Sequence, residues 1–433
     1  MNNEIRIICS IFAFQIGNKA KFMRIVLFCL VIVLFSTCSK KPTEIKSGIW
    51  RGIIELQGHQ LPFNFEVIKD TSEYQVNLIN ASEKILLDEV SVAADSIDMV
   101  LHIFDANLRA KVYENSLEGF FYKNHDKTYK LPFHASFGDD FTFEKTSDNV
   151  TTDFAGKYAV QFISDKKDTI VSVGIFTQKG NYLEGTFLTP TGDYRYLEGN
   201  VVNNKLHLST FDGNHAFLFI AAKKEDGTLA GDYWSGKSAH ETWTAVRSEN
   251  VVLPNAEHLT FLKEGFDKIE FSFPDVDKNL ISPADEKFKN NVLILQIFGT
   301  WCPNCMDETK FLNQWYKDNK GRGVEILGLA YERKADFDYA SGRVRKMKSK
   351  LGVEYEFVIA GTDDKVKASE TLPMLNKVLA FPTTIFIGKD GKVKYIRTGF
   401  EGPGTGIYYE QFKERFNQVV NELLTEDLPL NKH

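Results

Sequence analysis

Two cysteines three residues apart, Cys302 and Cys305 of Trp301-Cys302-Pro303-Asn304-Cys305, are the side chains in this chain best placed to do chemistry. They follow the apolar run Leu295 to Phe298 and open a segment with helical spacing that continues to about Asp318. A sulfur at a strand-to-helix junction lies over unpaired backbone N–H groups and the positive end of the helix dipole. That setting stabilises the thiolate, lowers the thiol pKa below its free value of about 8.5, and makes the sulfur both a nucleophile and a leaving group. Cys302 takes that role. Cys305, one helical turn further in, is the sheltered thiol that resolves a mixed disulfide formed on Cys302. The same spacing opens many zinc sites, but a closed site needs four ligands. Residues 269–432 offer no further cysteine and no histidine, so no metal is expected at the pair. No cofactor is expected either, because the two sulfurs carry the electrons themselves.

The N-terminus decides the compartment. Arg24, the apolar Ile25 to Phe35 and the small residues Ser36-Thr37 before Cys38 resemble a bacterial lipoprotein signal, with Phe35 standing where leucine is commonest. Residues 1–37 are read as the signal segment, with Met23 as the true start because the basic Arg24 follows it directly, and Cys38 is the candidate lipidation site. The apolar run is about half of what a bilayer-spanning helix needs. Processing there removes Cys9 and Cys29 and leaves Cys38, Cys302 and Cys305. Cys302 and Cys305 then form the one intrachain disulfide the mature chain can make, and two inert thiols would have to survive in an oxidising compartment. Ser39-Lys40-Lys41 carries no acidic sorting signal, which favours a lipid-anchored protein of the cell envelope facing the periplasm.

The elements that must position the pair lie in a chain of 433 residues, too long for one ordinary core. A composition of 43% hydrophobic and 25% charged residues is globular, and a net charge of -6 without a basic-aromatic stretch excludes a nucleic-acid partner. Residues 42–145 and 150–248 read as two all-β modules of meander or barrel type, with strand-like runs at Leu61–Val67, Tyr74–Ile79, Ile97–Phe104 and Leu117–Tyr122. They look like a duplication at an offset of about 110 residues. Gly48-Ile49-Trp50 pairs with Gly156-Lys157-Tyr158, Leu117–Phe121 with Leu229–Tyr233, and Phe133-His134-Ala135 with Trp243-Thr244-Ala245. The duplication fits two small barrels or two halves of one larger sheet system. Gly48-x-Trp50 ahead of up-and-down strands resembles lipocalin-like barrels, although an aromatic that plugs the end of a sheet explains it better than a ligand pocket. Tyr194, Tyr196, Tyr233 and Trp234 are the aromatics available to line such a pocket, or to pack the sheets.

After a linker over 249–268, residues 269–428 alternate strands and helices as an α/β domain. Strands are expected at 292–298, 324–331, 357–359, 383–387 and 392–398, and helices at 302–318, 335–351, 368–379 and 408–424. Gly388-Lys389-Asp390-Gly391 is a hairpin turn that makes the end of the sheet antiparallel. Here Leu295 to Cys305 and Ala380-Phe381-Pro382-Thr383-Thr384-Ile385-Phe386-Ile387-Gly388-Lys389-Asp390-Gly391 resemble the TlpA/ResA-like disulfide reductases of the thioredoxin superfamily. The resemblance implies a thioredoxin-like fold and a thiol-disulfide oxidoreductase reducing protein disulfides. Its partners would be disulfide-containing proteins and a membrane thiol donor that recharges the pair. It also makes Pro382 a cis-proline beside the sulfurs, with Trp301, Pro303, Asn304 and Thr383 supporting the site. The chain departs from thioredoxins proper at Gln296, where they carry a buried Asp that moves the proton of the second thiol. Glu332, after the strand ending at Tyr331, is the candidate replacement, against the simpler reading of a solvated residue at a strand end.

Two other functions compete. A thiol peroxidase of peroxiredoxin type would carry P-x-x-x-[ST]-x-x-C, and the matching positions hold Leu295 and Gly299. A ligand-binding or scaffold lipoprotein would use the β modules, with the redox domain as an accessory.

Overall fold

The computed structural model describes residues 44–71, 73–148 and 150–426; the signal segment, Cys9, Cys29, Cys38 and His433 lie outside the described residues. Period-two alternation of buried and exposed positions builds the first module. Its strands are β1 (Gly48–Leu56), β2 (His59–Asp70), β3 (Glu73–Asn80), β4 (Glu83–Ala93), β5 (Ser96–Val100), β6 (Ala106–Val112), β7 (Ser116–Lys123) and β8 (Lys130–Phe137). They run up and down, and β1 pairs with both β2 and β8 to close a barrel. Closure leaves no open sheet edge. Trp50, Phe63, Phe65, Phe121 and Phe133 fill the interior, and the Trp50 indole N–H donates to the Lys46 carbonyl at 3.0 Å, so its polar end is satisfied.

The second module repeats the design with β9 (Gly156–Ser164), β10 (Thr169–Lys179), β11 (Tyr182–Thr189), β12 (Gly192–Asp193), β13 (Leu197–Val202), β14 (Lys205–Phe211), β15 (Ala216–Lys223), β16 (Leu229–Ser235) and β17 (Ala239–Arg247). Pairing of β17 with β9 and of β10 with β11 closes it, and the two-residue β12 hangs on β11. There are thus two closed barrels, rather than halves of one sheet. The duplicated fragments occupy equivalent places. Gly48 and Gly156 open the first strands with φ of +124° and +130°, values that side chains rarely adopt. Gly119 and Gly231 sit where a Cβ would run into the backbone of the adjacent strand.

Tyr194 and Tyr233 do not line an open pocket. They stack within an aromatic core with Phe162, Phe187, Phe217 and Phe219, so packing wins over ligand binding at these positions. Trp234 instead stacks on His59 of the first barrel at 4.0 Å between ring centroids, and Tyr196 lies against Gly404 of the C-terminal region. Phe211, at the end of β14, inserts between Phe63 and Phe121 of the first barrel at 4.7 and 5.0 Å, and its backbone is held on both sides by Asn80.

The C-terminal region begins with a small hairpin, β18 (Phe273–Pro274) and β19 (Leu280–Ile281), and continues with β20 (Val292–Phe298), β21 (Val324–Glu332), β22 (Glu356–Thr362), β23 (Thr383–Ile387) and β24 (Val393–Thr398). The sheet order is β22-β21-β20-β23-β24, with β20, β21 and β22 parallel and β23 and β24 antiparallel to their neighbours. Every residue of β20 is buried, the pattern of a central strand covered on both faces. The helices are α1 (Pro303–Asn319), α2 (Phe337–Leu351), α3 (Lys365–Thr371) and α4 (Ile407–Thr425). Asp336 caps α2 by accepting from the Tyr339 N–H at 2.7 Å, and Gly352, at φ 58°, ends it.

Three local expectations are corrected. The helix expected over 368–379 starts earlier and stops at Thr371, because Pro373 lacks the donor and disfavours helical geometry at Leu372. The strand expected to reach Phe104 ends at Val100, where His102 turns the chain with φ +52°. Residues 249–268 are tied to the α/β domain rather than free: Leu262 bridges to Leu375, and Arg415 makes a bidentate ion pair with Glu257 at 2.7 and 2.9 Å. Among the described residues no helix is long and apolar enough to cross a membrane.

Candidate active site

The centre is the junction of β20 and α1. Cys302 is the N-cap of α1 and its Sγ accepts from the Cys305 N–H at 3.2 Å. Cys302 and Cys305 form a disulfide with their Cα atoms 5.2 Å apart. Both sulfurs are sheltered, Cys302 at 6% exposure and Cys305 at 0%. The N-cap position supplies an unpaired amide and the helix dipole to whichever negative charge develops on the Cys302 sulfur. Facing it, the Phe381–Pro382 peptide is cis, and the Phe381 carbonyl oxygen lies 3.4 Å from Cys302 Sγ. The Thr383 hydroxyl donates to the Ala380 carbonyl at 2.8 Å, and the Gly399 N–H donates to the Pro382 carbonyl at 2.9 Å, pinning that loop from both sides.

The approach loop is fixed by β21. The Thr300 N–H and hydroxyl donate to the two carboxylate oxygens of Glu332, both at 2.8 Å, and the Trp301 indole N–H donates to the Tyr331 carbonyl at 2.8 Å. Glu332 is 1% exposed, which overturns the reading of a solvated strand end. Burial pushes its pKa up to about 7, against the Thr300 hydrogen bonds that favour the charge. Its two oxygens hold the backbone and side chain of Thr300, two residues before Cys302, so it orients the loop ahead of Cys302. Trp301 packs edge-on against Phe381 and carries the Arg333 guanidinium over its ring at 4.1 Å.

Gln296 lies behind the sulfurs, fully buried. Its amide N–H donates to Glu308 Oε2 at 2.9 Å and reaches the Cys305 carbonyl at 3.4 Å, while its Oε1 accepts from the Tyr355 hydroxyl at 3.1 Å. Glu308 was missed by sequence reasoning. It stands one helical turn after Cys305 on the same face of α1, is 1% exposed, and also accepts from the Thr384 hydroxyl at 2.6 Å. Burial raises its pKa to about 7, with Thr384 and Gln296 pulling the other way. A carboxyl that titrates near neutrality, hydrogen-bonded to the side chain that also reaches the Cys305 backbone, can take up and return a proton. Its signal in the sequence was an acidic residue one turn past Cys305 on a helix face otherwise occupied by Cys305, Leu312 and Trp315.

Pro303 and Asn304 are buried by residues more than a hundred positions away. Asn304 donates to the Asp193 carbonyl at 3.0 Å, Arg195 Nη1 donates to the Pro303 carbonyl at 3.2 Å, and Asn214 donates to the Trp301 carbonyl at 2.8 Å. Arg195 also pairs with Asp307 and Glu83, and with Asp212 at 3.4 Å. Burial alone would raise the Asp212 pKa, but His215 and Arg195 hold it well below the carboxylate range. Among the described residues no group of three or more His, Cys, Asp or Glu is arranged to hold a metal.

Residues 264–411 match the Redoxin family. The chain is 32% identical over 112 residues to the thiol-disulfide oxidoreductase ResA of Geobacillus kaustophilus (strain HTA426), covering 26% of this chain and 57% of that protein. It is 28% identical over 138 residues to ResA of Bacillus subtilis (strain 168), covering 32% and 69%. The chain thus spans little more than half of the first relative's length. Among solved structures, a thiol:disulfide interchange protein of the thioredoxin family from Chlorobium tepidum TLS matches at 23% identity and a TM-score of 0.29, covering 37% of this chain and 98% of that one.

Proposed function

We propose that this chain, whose C-terminal region is a TlpA/ResA-like domain of the thioredoxin superfamily, is a thiol-disulfide oxidoreductase that works in the reducing direction. The observation that carries the proposal is the Cys302 sulfur at the N-cap of α1, disulfide-bonded to Cys305 and faced by the carbonyl before a cis proline. In the reduced protein the Cys302 thiolate attacks one sulfur of a substrate disulfide, forming a mixed disulfide and expelling the first substrate thiolate. Cys305 then gives up its proton, for which Glu308 is the acceptor, and its thiolate attacks Cys302 Sγ. The Cys302–Cys305 disulfide forms and the second substrate thiol leaves. Two electrons have passed to the substrate, whose two thiols take one proton from Cys305 and one from solvent, and a thiol donor at the membrane returns the electrons to the pair. The reading calls for no cofactor.

The same proposal extends to an anchor. Lipid on Cys38 would tether the protein to the cell envelope, facing the periplasm, where disulfide-bearing proteins and a membrane thiol donor would be its partners. Replacing Cys302 with serine abolishes reduction of a small aromatic disulfide under this reading; a Cys302→Ser protein that kept the wild-type rate would refute it.

A further inference from the structure

The second barrel reaches the chemistry of the redox domain. Two turns of that barrel close on the Trp301–Cys305 segment. From the β12–β13 turn, the Asp193 carbonyl accepts from Asn304, and Arg195 donates to the Pro303 carbonyl and pairs with Asp307. From the β14–β15 turn, Asn214 donates to the Trp301 carbonyl. The loop that follows β24 is covered as well. Asp193 Oδ2 accepts from the Gly402 N–H at 2.7 Å, and a Cβ on Gly399 would lie 2.7 Å from the Thr191 backbone. Of the five residues Trp301 to Cys305, only Trp301 is not buried.

Arg195 holds this arrangement together. Its side chain is 5% exposed and bridges Glu83 of the first barrel, Asp212 of the second and Asp307 of α1. Its own backbone is left-handed at φ +58°, a conformation that a residue keeps only where its surroundings over-determine it. Removing one partner from such a buried cluster leaves uncompensated charge, so the wall is held firmly.

We infer that the second barrel is a fixed wall of the redox site and that it selects substrates by girth, with Arg195 and Asn214 as the positioning residues that keep it closed. The inference rests on the oxidoreductase reading above and deepens it by naming the substrate class. An attacking sulfur must come within about 3–3.5 Å of its target. Even a transient redox encounter between folded proteins covers up to about 600 Å² of each partner, and here the face around the start of α1 is already occupied by the second barrel. The disulfides admitted to Cys302 are therefore small molecules and those carried on slender, extended chains.

The test uses two substrates with the same scissile bond, a cysteine–thionitrobenzoate disulfide, made once on free cysteine and once on a surface cysteine of a folded globular carrier. The reduced full-length protein should react at least a hundredfold faster with the small one, after each rate is divided by that of dithiothreitol. Asn214→Ala and Arg195→Gln should raise the ratio of the carrier rate to the small-substrate rate at least tenfold, whatever they do to the small-substrate rate itself. A merely structural role would lower both rates together. Asn214→Ala removes one hydrogen bond and carries the test if Arg195→Gln does not fold. A wild-type ratio equal to that of dithiothreitol, or variants that change both rates in parallel, would overturn the inference alone. If the wild type reduces neither substrate while iodoacetamide still alkylates Cys302, the oxidoreductase reading falls first and this one with it.

Discussion

Replacing Glu308 with glutamine should flatten the pH dependence of stability. The carboxyl is 1% exposed and its pKa is raised by burial from 4.5 to about 7. Below about pH 4.5 the folded and unfolded chains both hold the proton, so the site costs nothing. Between 4.5 and 7 the unfolded chain releases the proton while the folded chain keeps it, and stability falls as pH rises; above 7 the loss is complete. At about 1.4 kcal/mol per pH unit this loss comes to about 3 kcal/mol. A glutamine at 308 does not ionise, can still accept from Gln296, and can donate to the Thr384 hydroxyl in place of accepting from it. Urea unfolding of both proteins at pH 5 and pH 8 isolates the site, because everything else in the chain is common to the two. The wild type should lose about 2.5 kcal/mol more than Glu308→Gln between the two values, since roughly 0.8 kcal/mol of the loss is already present at pH 5. Parallel losses, within about 0.5 kcal/mol, would refute both the raised pKa and the acceptor role built on it. In the reaction, the variant should resolve a mixed disulfide on Cys302 about a hundredfold more slowly and lose the inflection near pH 7.

Other expectations follow from single contacts. Glu332→Ala leaves the buried Thr300 N–H without its acceptor, which should cost about 1–3 kcal/mol and speed hydrogen exchange at the Thr300 amide. Gly299→Ala would put a methyl group on the Trp301 indole nitrogen and 2.7 Å from the Tyr331 carbonyl. It should break the Trp301–Tyr331 hydrogen bond, seen as a changed Trp301 fluorescence, and slow reduction by tenfold or more. Trp243→Ala empties the middle of the second barrel's aromatic core and should cost about 3–5 kcal/mol in thermal or urea unfolding.

Much of the fold was legible because it rests on local signals. The seven buried residues of β20, the Cys302 helix start, and the Gly388–Gly391 turn are each written in a few consecutive residues. The repeat of the barrels was visible in glycines that the backbone requires, at 48 and 156 and at 119 and 231. Closure of each barrel was not, since it depends on pairs such as Trp50 with Phe137 that no local pattern specifies. Within the site, Gln296 stood out as a departure from thioredoxins, but its consequence is a contact with Glu308, on another element. Glu332 read as a solvated strand end because the sequence does not reveal that Thr300 folds back onto it. Arg195, Asn214 and Asp193 had no signal at all. Their partners lie roughly ninety to a hundred and ten residues away, and only tertiary packing brings a barrel turn to a helix start.

The central claim is that Cys302 attacks and Cys305 resolves, and a single-turnover reaction with 5,5′-dithiobis(2-nitrobenzoate) tests it most directly. Reduced wild type should release two thionitrobenzoate equivalents from the pair and end with the Cys302–Cys305 disulfide. Cys305→Ser should release one and keep the other as a mixed disulfide that peptide mass spectrometry locates on Cys302. An adduct that forms elsewhere while Cys302 stays free, or a Cys305→Ser protein that still completes two-equivalent release from the site, would contradict the account.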